Sequence, residues 1–227
     1  MRVSLKSENK SKQFFDKIIP ILRKEFPKWK TPIVTEMAMR EKNPFKVLIS
    51  TIISLRTKDE VTSIASKKLF ALAATPESIL KLKESKIAET IFPAGFYKTK
   101  AVTILAVCKR LVDEFKGVVP DSLDVLLTFK GVGRKTANLV LTQGFGLPGI
   151  CVDTHVHRIS NRFGIIKTKD AEETEFKLRE ILPKEYWIEY NDLLVAFGQN
   201  HCRPISPICS SCKIEMYCSK VGVISSR

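Results

Sequence analysis

Helix-start signals recur along this chain, and they constrain its fold more than any other feature of the sequence. At several places a residue that favours helix N-caps stands just before a run of helix-forming residues, twice with proline at the first helical position. These signals are Asn43-Pro44, Thr75-Pro76, Pro120-Asp121-Ser122, and the capping-box spacings of Thr57 with Glu60 and Asp170 with Glu173. Sustained strand alternation with hairpin turns is absent from the sequence. We therefore predict an all-α fold.

Apolar spacing divides the predicted helices into two groups. Phe14, Ile18 and Leu22 form a stripe typical of an N-terminal helix, and Lys100–Phe115 has the pattern of a long amphipathic helix. The turn-forming residues 146–149 are the best break in the second half of the chain. We predict a central helical domain over 37–148 and a second one built from both chain ends, 1–36 and 149–227.

The net charge points to a polyanionic partner. The 227 residues include 38 Lys and Arg against 24 Asp and Glu, a balance of +14. Residues 1–40 hold ten of these basic residues and four of the acidic ones. Binding to nucleic acid gains from such a balance, because each neutralised phosphate releases counterions. A soluble surface rich in lysine is the alternative interpretation.

Two further features bear on location and redox state. No apolar run approaches the length of a membrane span, and residues 1–6 have no apolar core of the kind that a secretory signal needs. We expect an intracellular protein whose six cysteines are not paired in disulfides. Cys108 and Cys151 lie in apolar surroundings and are predicted to be buried core residues.

Gly131-Val132-Gly133 forms a glycine hairpin between two apolar segments. Glycine lets backbone N–H groups approach a phosphate without a clash from Cβ, and the helix predicted to begin near Arg134 adds its positive end. These four residues are candidate phosphate-binding residues. An ordinary connection between two helices, with glycine at the caps, is the alternative interpretation.

Lys135 and Asp153 are the residues of this region that can carry out chemistry. Lys135 stands at the start of the predicted helix, where the dipole disfavours a cation, so that its amine is a candidate nucleophile. A surface lysine that contacts phosphate is the alternative. Asp153 precedes Thr154, an apparent helix start, and is either an N-cap or a carboxylate that stabilises positive charge. Both roles are compatible, because a capping carboxylate stays ionised and fixed.

Four cysteines close to the C-terminus indicate a metal centre. Cys202, Cys209, Cys212 and Cys218 have the spacing C-x6-C-x2-C-x5-C. Structural zinc sites usually use two separated C-x2-C pairs, whereas this segment has one such pair flanked by single cysteines. A [4Fe–4S] cluster is therefore favoured, zinc is the alternative, and free thiols come last. With all four ligands from the protein, the role would be structural.

Taken together, these features resemble the endonuclease III family, the iron–sulfur members of the helix-hairpin-helix DNA glycosylase superfamily. The resemblance runs from about Pro44 to Cys218 and rests on residues 127–138, residues 152–155 and the cysteine spacing, in the right order. It implies a two-lobed all-α glycosylase fold. In that fold, 37–148 is a six-helix domain that ends in the hairpin, and 1–36 with 149–227 is the cluster domain.

The resemblance also implies an activity. Lys135 takes the position of the family's Schiff-base lysine, Asp153 that of its catalytic aspartate, and the four cysteines those of its [4Fe–4S] ligands. The implied enzyme is a bifunctional DNA glycosylase and AP lyase. It excises oxidised or ring-saturated pyrimidines, such as thymine glycol, and nicks the strand 3′ to abasic sites by β-elimination. A monomer acting on damaged double-stranded DNA inside the cell is expected.

Three positions depart from the family pattern. Arg56 stands where the family often has glutamine to fill the gap left by the extruded base, and Phe96 stands where it often has leucine as a wedge. A core aromatic is the alternative for Phe96. In the loop 203–208, Arg203 is the one basic residue where the family often has more. All three are candidate DNA contacts.

Two other functions compete with this interpretation. A related mismatch-specific thymine or uracil glycosylase would normally lack the attacking lysine, so Lys135 argues against it. An adenine-mismatch relative usually carries a further C-terminal domain. A non-catalytic iron–sulfur protein that binds DNA is the second competitor, and the presence of both Lys135 and Asp153 argues against it.

Overall fold

The computed structural model describes residues 5–29 and 42–227, and within these ranges every regular element is helical. Short 3-10 turns at Phe26–Lys28, Lys184–Tyr186 and Glu215–Tyr217 complete the elements, and Val140–Phe145 forms a π-helical turn. The α-helices, in chain order, are α1 (Leu5–Glu25), α2 (Pro44–Ser54), α3 (Asp59–Leu72), α4 (Pro76–Leu80), α5 (Glu84–Ile91), α6 (Tyr97–Phe115), α7 (Leu123–Leu127), α8 (Arg134–Leu139), α9 (Thr154–Phe163), α10 (Ala171–Ile181) and α11 (Trp187–Asn200).

Most of the predicted helix starts are confirmed by their capping contacts. The Asn43 side chain accepts a hydrogen bond from the Lys46 N–H at 3.0 Å, and the Asp170 carboxylate accepts one from the Glu173 N–H at 2.9 Å. Thr75 forms a reciprocal capping box at the start of α4. Each of these contacts satisfies an N–H group that has no partner within its helix.

Two predicted boundaries are wrong. Helix α3 begins at Asp59 after Lys58, and the Thr57 hydroxyl does not cap it. That hydroxyl instead accepts hydrogen bonds from the Lys100 ammonium at 2.8 Å and from the Gly95 N–H at 3.1 Å, both distant in sequence. Helix α6 begins at Tyr97, three residues before the predicted start.

The chain divides into two compact units, and each is described by itself. The central unit comprises residues 33–149, and the terminal unit comprises residues 1–32 together with 150–227. The boundary predicted between 36 and 37 lies outside the described residues. In the central unit, α2 is almost wholly buried and packs against α3, α6, α8 and the π-helical turn.

The core of the terminal unit joins the two chain ends. Phe15 of α1 meets the Tyr190 ring of α11 edge-on, with ring centroids 5.8 Å apart. Tyr190 is fully buried and its hydroxyl lies 2.9 Å from Ser160 Oγ of α9. These contacts lock the N-terminal helix onto the helices that follow residue 150. In the part of the chain that the structure describes, no helix is long and apolar enough to cross a membrane.

Candidate active site

The glycine hairpin is fixed to the core through Val132 and is exposed at Gly131 and Gly133. Phe129 and Val132 are buried, and the Val132 N–H donates to the Phe129 carbonyl at 3.0 Å. Gly131 has a φ of +82°, and a Cβ there would lie 2.6 Å from Thr103 Cγ2 of α6, so both conformation and space require glycine. Gly133 is exposed and has open space at its Cβ position. The side chain of Val132 belongs to the core, so that a ligand meets only its backbone.

Lys135 stands on the helix that leaves this hairpin. Gly133 is the N-cap of α8, and its carbonyl accepts the first helical hydrogen bond, from Ala137 at 2.9 Å. Arg134 and Lys135 are the first two residues of the helix, and both side chains are half-buried. The structure therefore brings a basic pair and the exposed backbone of two glycines together on one short segment.

Asp153 is a fixed carboxylate at the start of α9. Its Oδ1 accepts hydrogen bonds from the N–H groups of His155 and Val156, each at 2.9 Å. The preceding segment is held as well, because the Asn191 side chain donates to the buried carbonyl of Cys151 at 3.0 Å. Asp153 itself is half-buried. The predicted N-cap is thus confirmed, and it holds the carboxylate in one orientation.

Two arginines of α9 reach the cysteine-rich segment. Arg158 donates to the Cys202 carbonyl at 2.8 Å, and burial lowers the pKa of its guanidinium. Arg162 donates to the carbonyls of Arg203 at 2.9 Å and Pro204 at 3.2 Å. The backbone that carries Arg203 is therefore held by the helix that begins at Asp153, while the Arg203 side chain is exposed.

The four cysteines of the C-terminal segment line one cavity of about 350 Å³, part of which is open to solvent. All six cysteines of the chain are free, and Cys108 and Cys151 are buried as predicted. Burial raises the pKa of Cys212 to about 11 and also raises that of Cys218. Among the described residues, no group of three or more histidine, cysteine, aspartate or glutamate side chains is arranged to hold a metal ion.

Polar hydrogen atoms point at two of the cysteine sulfurs. Arg162 donates from its guanidinium to Cys202 Sγ at 3.2 Å, and the Lys220 N–H donates to Cys218 Sγ at 3.4 Å. At Cys218 the hydrogen bond from the Lys220 N–H favours the thiolate and so opposes the effect of burial, which raises the pKa of this thiol. Four cysteine sulfurs thus line one cavity, and thiolate sulfur is the ligand type that iron–sulfur clusters use.

Arg56 and Phe96, which lie 40 positions apart, are neighbours in the central unit. The Arg56 guanidinium lies over the Phe96 ring, 5.6 Å from its centroid. Both residues have left-handed backbone, with φ of 53° and 58°, and both side chains are exposed. The alternative prediction of a core aromatic is wrong for Phe96, whose side chain is 62% exposed.

Lys100 is a residue of interest that sequence reasoning missed. Only 6% of it is exposed, and its ammonium lies beneath the turns that carry Arg56 and Phe96. The sequence does contain a sign of this burial. Lys100 falls in the apolar helical stripe of Ile104, Cys108 and Leu111, where a lysine is unusual.

The model of the HhH-GPD superfamily of base excision DNA repair proteins matches residues 49–184. Endonuclease III of Thermotoga maritima is 48% identical over 179 residues, which cover 79% of this chain and 84% of that protein. The chain belongs to the endonuclease III family. The predicted family is confirmed.

Solved structures support the same assignment at the level of the fold. A trapped covalent intermediate of endonuclease III with DNA, an estranged-adenine complex, superposes with a TM-score of 0.82 at 34% identity, covering 92% of this chain and 95% of that one. A thermostable thymine-DNA glycosylase superposes with a TM-score of 0.81 over 92% and 96% of the chains, but at 21% identity it shows the fold alone. The all-α helix-hairpin-helix glycosylase fold of this endonuclease III family member is confirmed.

Proposed function

We propose that this protein is a bifunctional DNA glycosylase and AP lyase of base excision repair, with Lys135 as the nucleophile. Family membership carries the proposal, together with the likeness to an endonuclease III caught in a covalent intermediate with DNA. A covalent intermediate needs a nucleophile, and an amine that attacks a sugar carbon forms a Schiff base. Lys135, half-buried behind an open glycine hairpin, is the lysine that we assign to this role.

The proposed reaction proceeds in two stages. The amine of Lys135 attacks C1′ of the damaged nucleotide, and the bond between C1′ and the base breaks, so that the base leaves with the electron pair. Opening of the sugar ring then gives an imine between Lys135 and C1′. Loss of a proton from C2′ expels the 3′ phosphate, which breaks the strand on the 3′ side of the lesion. Water finally releases the lysine.

Asp153 is assigned the electrostatic role in this reaction. Positive charge develops on the sugar as the base leaves, and a fixed negative group stabilises that charge more than it stabilises the ground state. The two backbone hydrogen bonds to Oδ1 hold the carboxylate before DNA binds, so that little reorganisation is needed. A carboxylate in this position also accepts and returns protons during the two stages.

DNA contacts are proposed at three places. The backbone of the hairpin residues 131–133, with Arg134, binds phosphate. Arg56 and Phe96 fill the gap that the flipped nucleotide leaves, since they are exposed and adjacent. Arg203 is exposed on a loop of the terminal unit and contacts the phosphate backbone. The charge of +14 supports a polyanionic partner in general.

The cysteines are proposed to hold one [4Fe–4S] cluster. Cys202, Cys209, Cys212 and Cys218 surround a cavity, and a cubane offers one iron to each of four thiolates. When bound, the cluster would link the C-terminal segment to the core of the terminal unit. With four protein ligands its role is structural, and Arg162 supports the ligand Cys202.

The finer assignments are also proposals. The substrate class is oxidised or ring-saturated pyrimidines, such as thymine glycol, and abasic sites in double-stranded DNA. Such lesions stack and pair poorly, which lowers the cost of flipping them out of the duplex. We propose that a monomer acts on chromosomal DNA inside the cell.

Borohydride trapping tests the function. Reduction of the imine in mixtures with thymine glycol or abasic duplexes should give a covalent protein–DNA adduct, which Lys135→Gln should abolish. A mismatch-specific thymine or uracil glycosylase would release the base without an adduct, and a non-catalytic DNA-binding protein would bind without either product. Normal trapping and nicking by Lys135→Gln would show that the nucleophile is another residue.

A further inference from the structure

A buried lysine ties together the two turns that carry Arg56 and Phe96. The Lys100 ammonium donates hydrogen bonds to the carbonyls of Ile53 and Leu55, each at 2.6 Å, and to the Thr57 hydroxyl at 2.8 Å. The two carbonyls belong to the C-terminal end of α2, where backbone acceptors lack helical partners and the helix dipole attracts a cation. All three acceptors belong to the segment on either side of Arg56.

The same segment is joined to the second turn by Thr57 and Gly95. The Gly95 N–H donates to the Thr57 hydroxyl at 3.1 Å, so that this hydroxyl is shared between Lys100 and Gly95. A Cβ at Gly95 would lie 2.5 Å from the Arg56 carbonyl oxygen. The two turns therefore touch through their backbones, and no side chain fits between them.

Lys100 also belongs to the second turn. Its backbone N–H donates to the Phe96 carbonyl at 3.0 Å, in the first turn of α6. Phe96 and Arg56 both keep a left-handed backbone, a conformation that costs a non-glycine residue energy and persists only when the surroundings hold it. One residue thus contacts both strained turns, through its ammonium on one side and its backbone on the other.

We propose that Lys100 is a positioning residue that holds Arg56 and Phe96 as one rigid pair, so that both enter the DNA stack together when the damaged nucleotide flips out. This inference rests on the proposed function, because it assigns Arg56 and Phe96 to the gap in the duplex. A wedge must be rigid, since a flexible one would lose conformational entropy on insertion. Lys100 supplies this rigidity through its hydrogen bonds to the turns that carry Arg56 and Phe96.

Burial disfavours the charged form of Lys100. Burial lowers the pKa of Lys100 to about 8, because an ammonium loses its hydration in the core. The three short hydrogen bonds act in the opposite direction, because they stabilise the charged form. An apolar residue at this position would avoid the cost of burial but would leave the acceptors of the Arg56 turn unpaired.

Lys100→Met tests the proposal, with Lys98→Met as the matched control. Lys98 is exposed on the same helix, so that its replacement removes the same charge without touching the two turns. Two substrates are compared in single turnovers: a thymine glycol duplex, which has a gap to fill, and single-stranded abasic DNA, which has none. A duplex with 2-aminopurine opposite the lesion reports insertion by its fluorescence, independently of chemistry.

The expected result is specific to the duplex. Lys100→Met should lose about 10-fold to 100-fold in excision from the duplex, together with the 2-aminopurine signal, while its rate and borohydride adduct on single-stranded abasic DNA stay at the wild-type level. Lys98→Met should match the wild type on both substrates. A wild-type rate of Lys100→Met on the duplex, or an equal loss on both substrates, would overturn the proposal.

Thr57 provides a second pair of variants if Lys100→Met does not fold. Thr57→Val removes the shared hydroxyl and should lose duplex activity, whereas Thr57→Ser keeps the hydroxyl and should retain that activity. Equal duplex rates for the two variants would overturn the positioning role. A wild-type protein that forms no adduct with either substrate would instead overturn the proposed function, and the 2-aminopurine signal would still report on Lys100.

Discussion

Asp153→Asn separates the two roles of the carboxylate at the start of α9. The amide keeps an oxygen that accepts from the N–H groups of His155 and Val156, now at 2.9 Å, and Asn caps helices as well as Asp does. The lost charge costs about 0.3–1 kcal/mol of helix-dipole stabilisation. Asp153→Ala also loses the cap, so that its total cost is about 1–2 kcal/mol.

These magnitudes predict different melting temperatures and the same loss of activity. At about 2–4 °C per kcal/mol for a chain of this size, Asp153→Ala should melt several degrees below the wild type and Asp153→Asn only slightly below it. Both variants lack the negative charge, so that the single-turnover rate of thymine glycol excision should fall about 100-fold to 10,000-fold in each. Thermal unfolding followed by circular dichroism and product analysis on denaturing gels provide the two measurements. If Asp153→Asn kept nearly wild-type excision while Asp153→Ala lost it, the residue would act through the helix cap and the electrostatic role would be refuted.

Three further predictions concern the hairpin, the cysteine cavity and a buried thiol. Gly131→Ala should lower the free energy of unfolding by about 1–3 kcal/mol, because Gly131 has a positive φ and a Cβ there would contact Thr103. Gly133→Ala should lower it by only about 0.5 kcal/mol and yet weaken DNA binding. Equal DNA affinity of Gly133→Ala and the wild type would contradict phosphate binding at Gly133. Cys212→Ser should diminish the visible absorbance and iron content of the purified protein, and unchanged iron content would contradict the proposed ligand set. Burial raises the pKa of Cys108 to about 12, so that the contribution of this thiol to stability is present below pH 9, its ordinary pKa, and is lost as the pH rises toward 12. The free energy of unfolding of the wild type should therefore fall more steeply across this pH range than that of Cys108→Ala. Parallel pH dependences of the two proteins in denaturation experiments would contradict this prediction.

Local signals in the sequence predicted much of the fold. The caps at Asn43, Thr75 and Asp170 form as expected, because an N-cap depends on residues within one turn of itself. Thr57 has the same type of signal but does not cap a helix. Its hydroxyl is taken by Lys100, 43 positions away, and a local pattern contains no information about that contact.

The candidate site shows the same division between local and distant causes. The hairpin glycines, the placement of Lys135 at a helix start and the N-cap role of Asp153 follow from residues next to one another in the chain. The adjacency of Arg56 and Phe96 does not, because it depends on how α2 packs against α6. Packing of this kind is set by the whole core, so that the pairing emerges only from the structure.

Mapping the trapped adduct tests the central claim most directly. The wild-type protein is reduced with borohydride on an abasic duplex, digested, and the peptide that carries the sugar remnant is sequenced by mass spectrometry. With Lys135 as the nucleophile, we expect one modified residue, Lys135, next to Arg134 in the segment that follows the glycine hairpin. Attachment at any other lysine or at the N-terminal amine, with Lys135 unmodified, would contradict it.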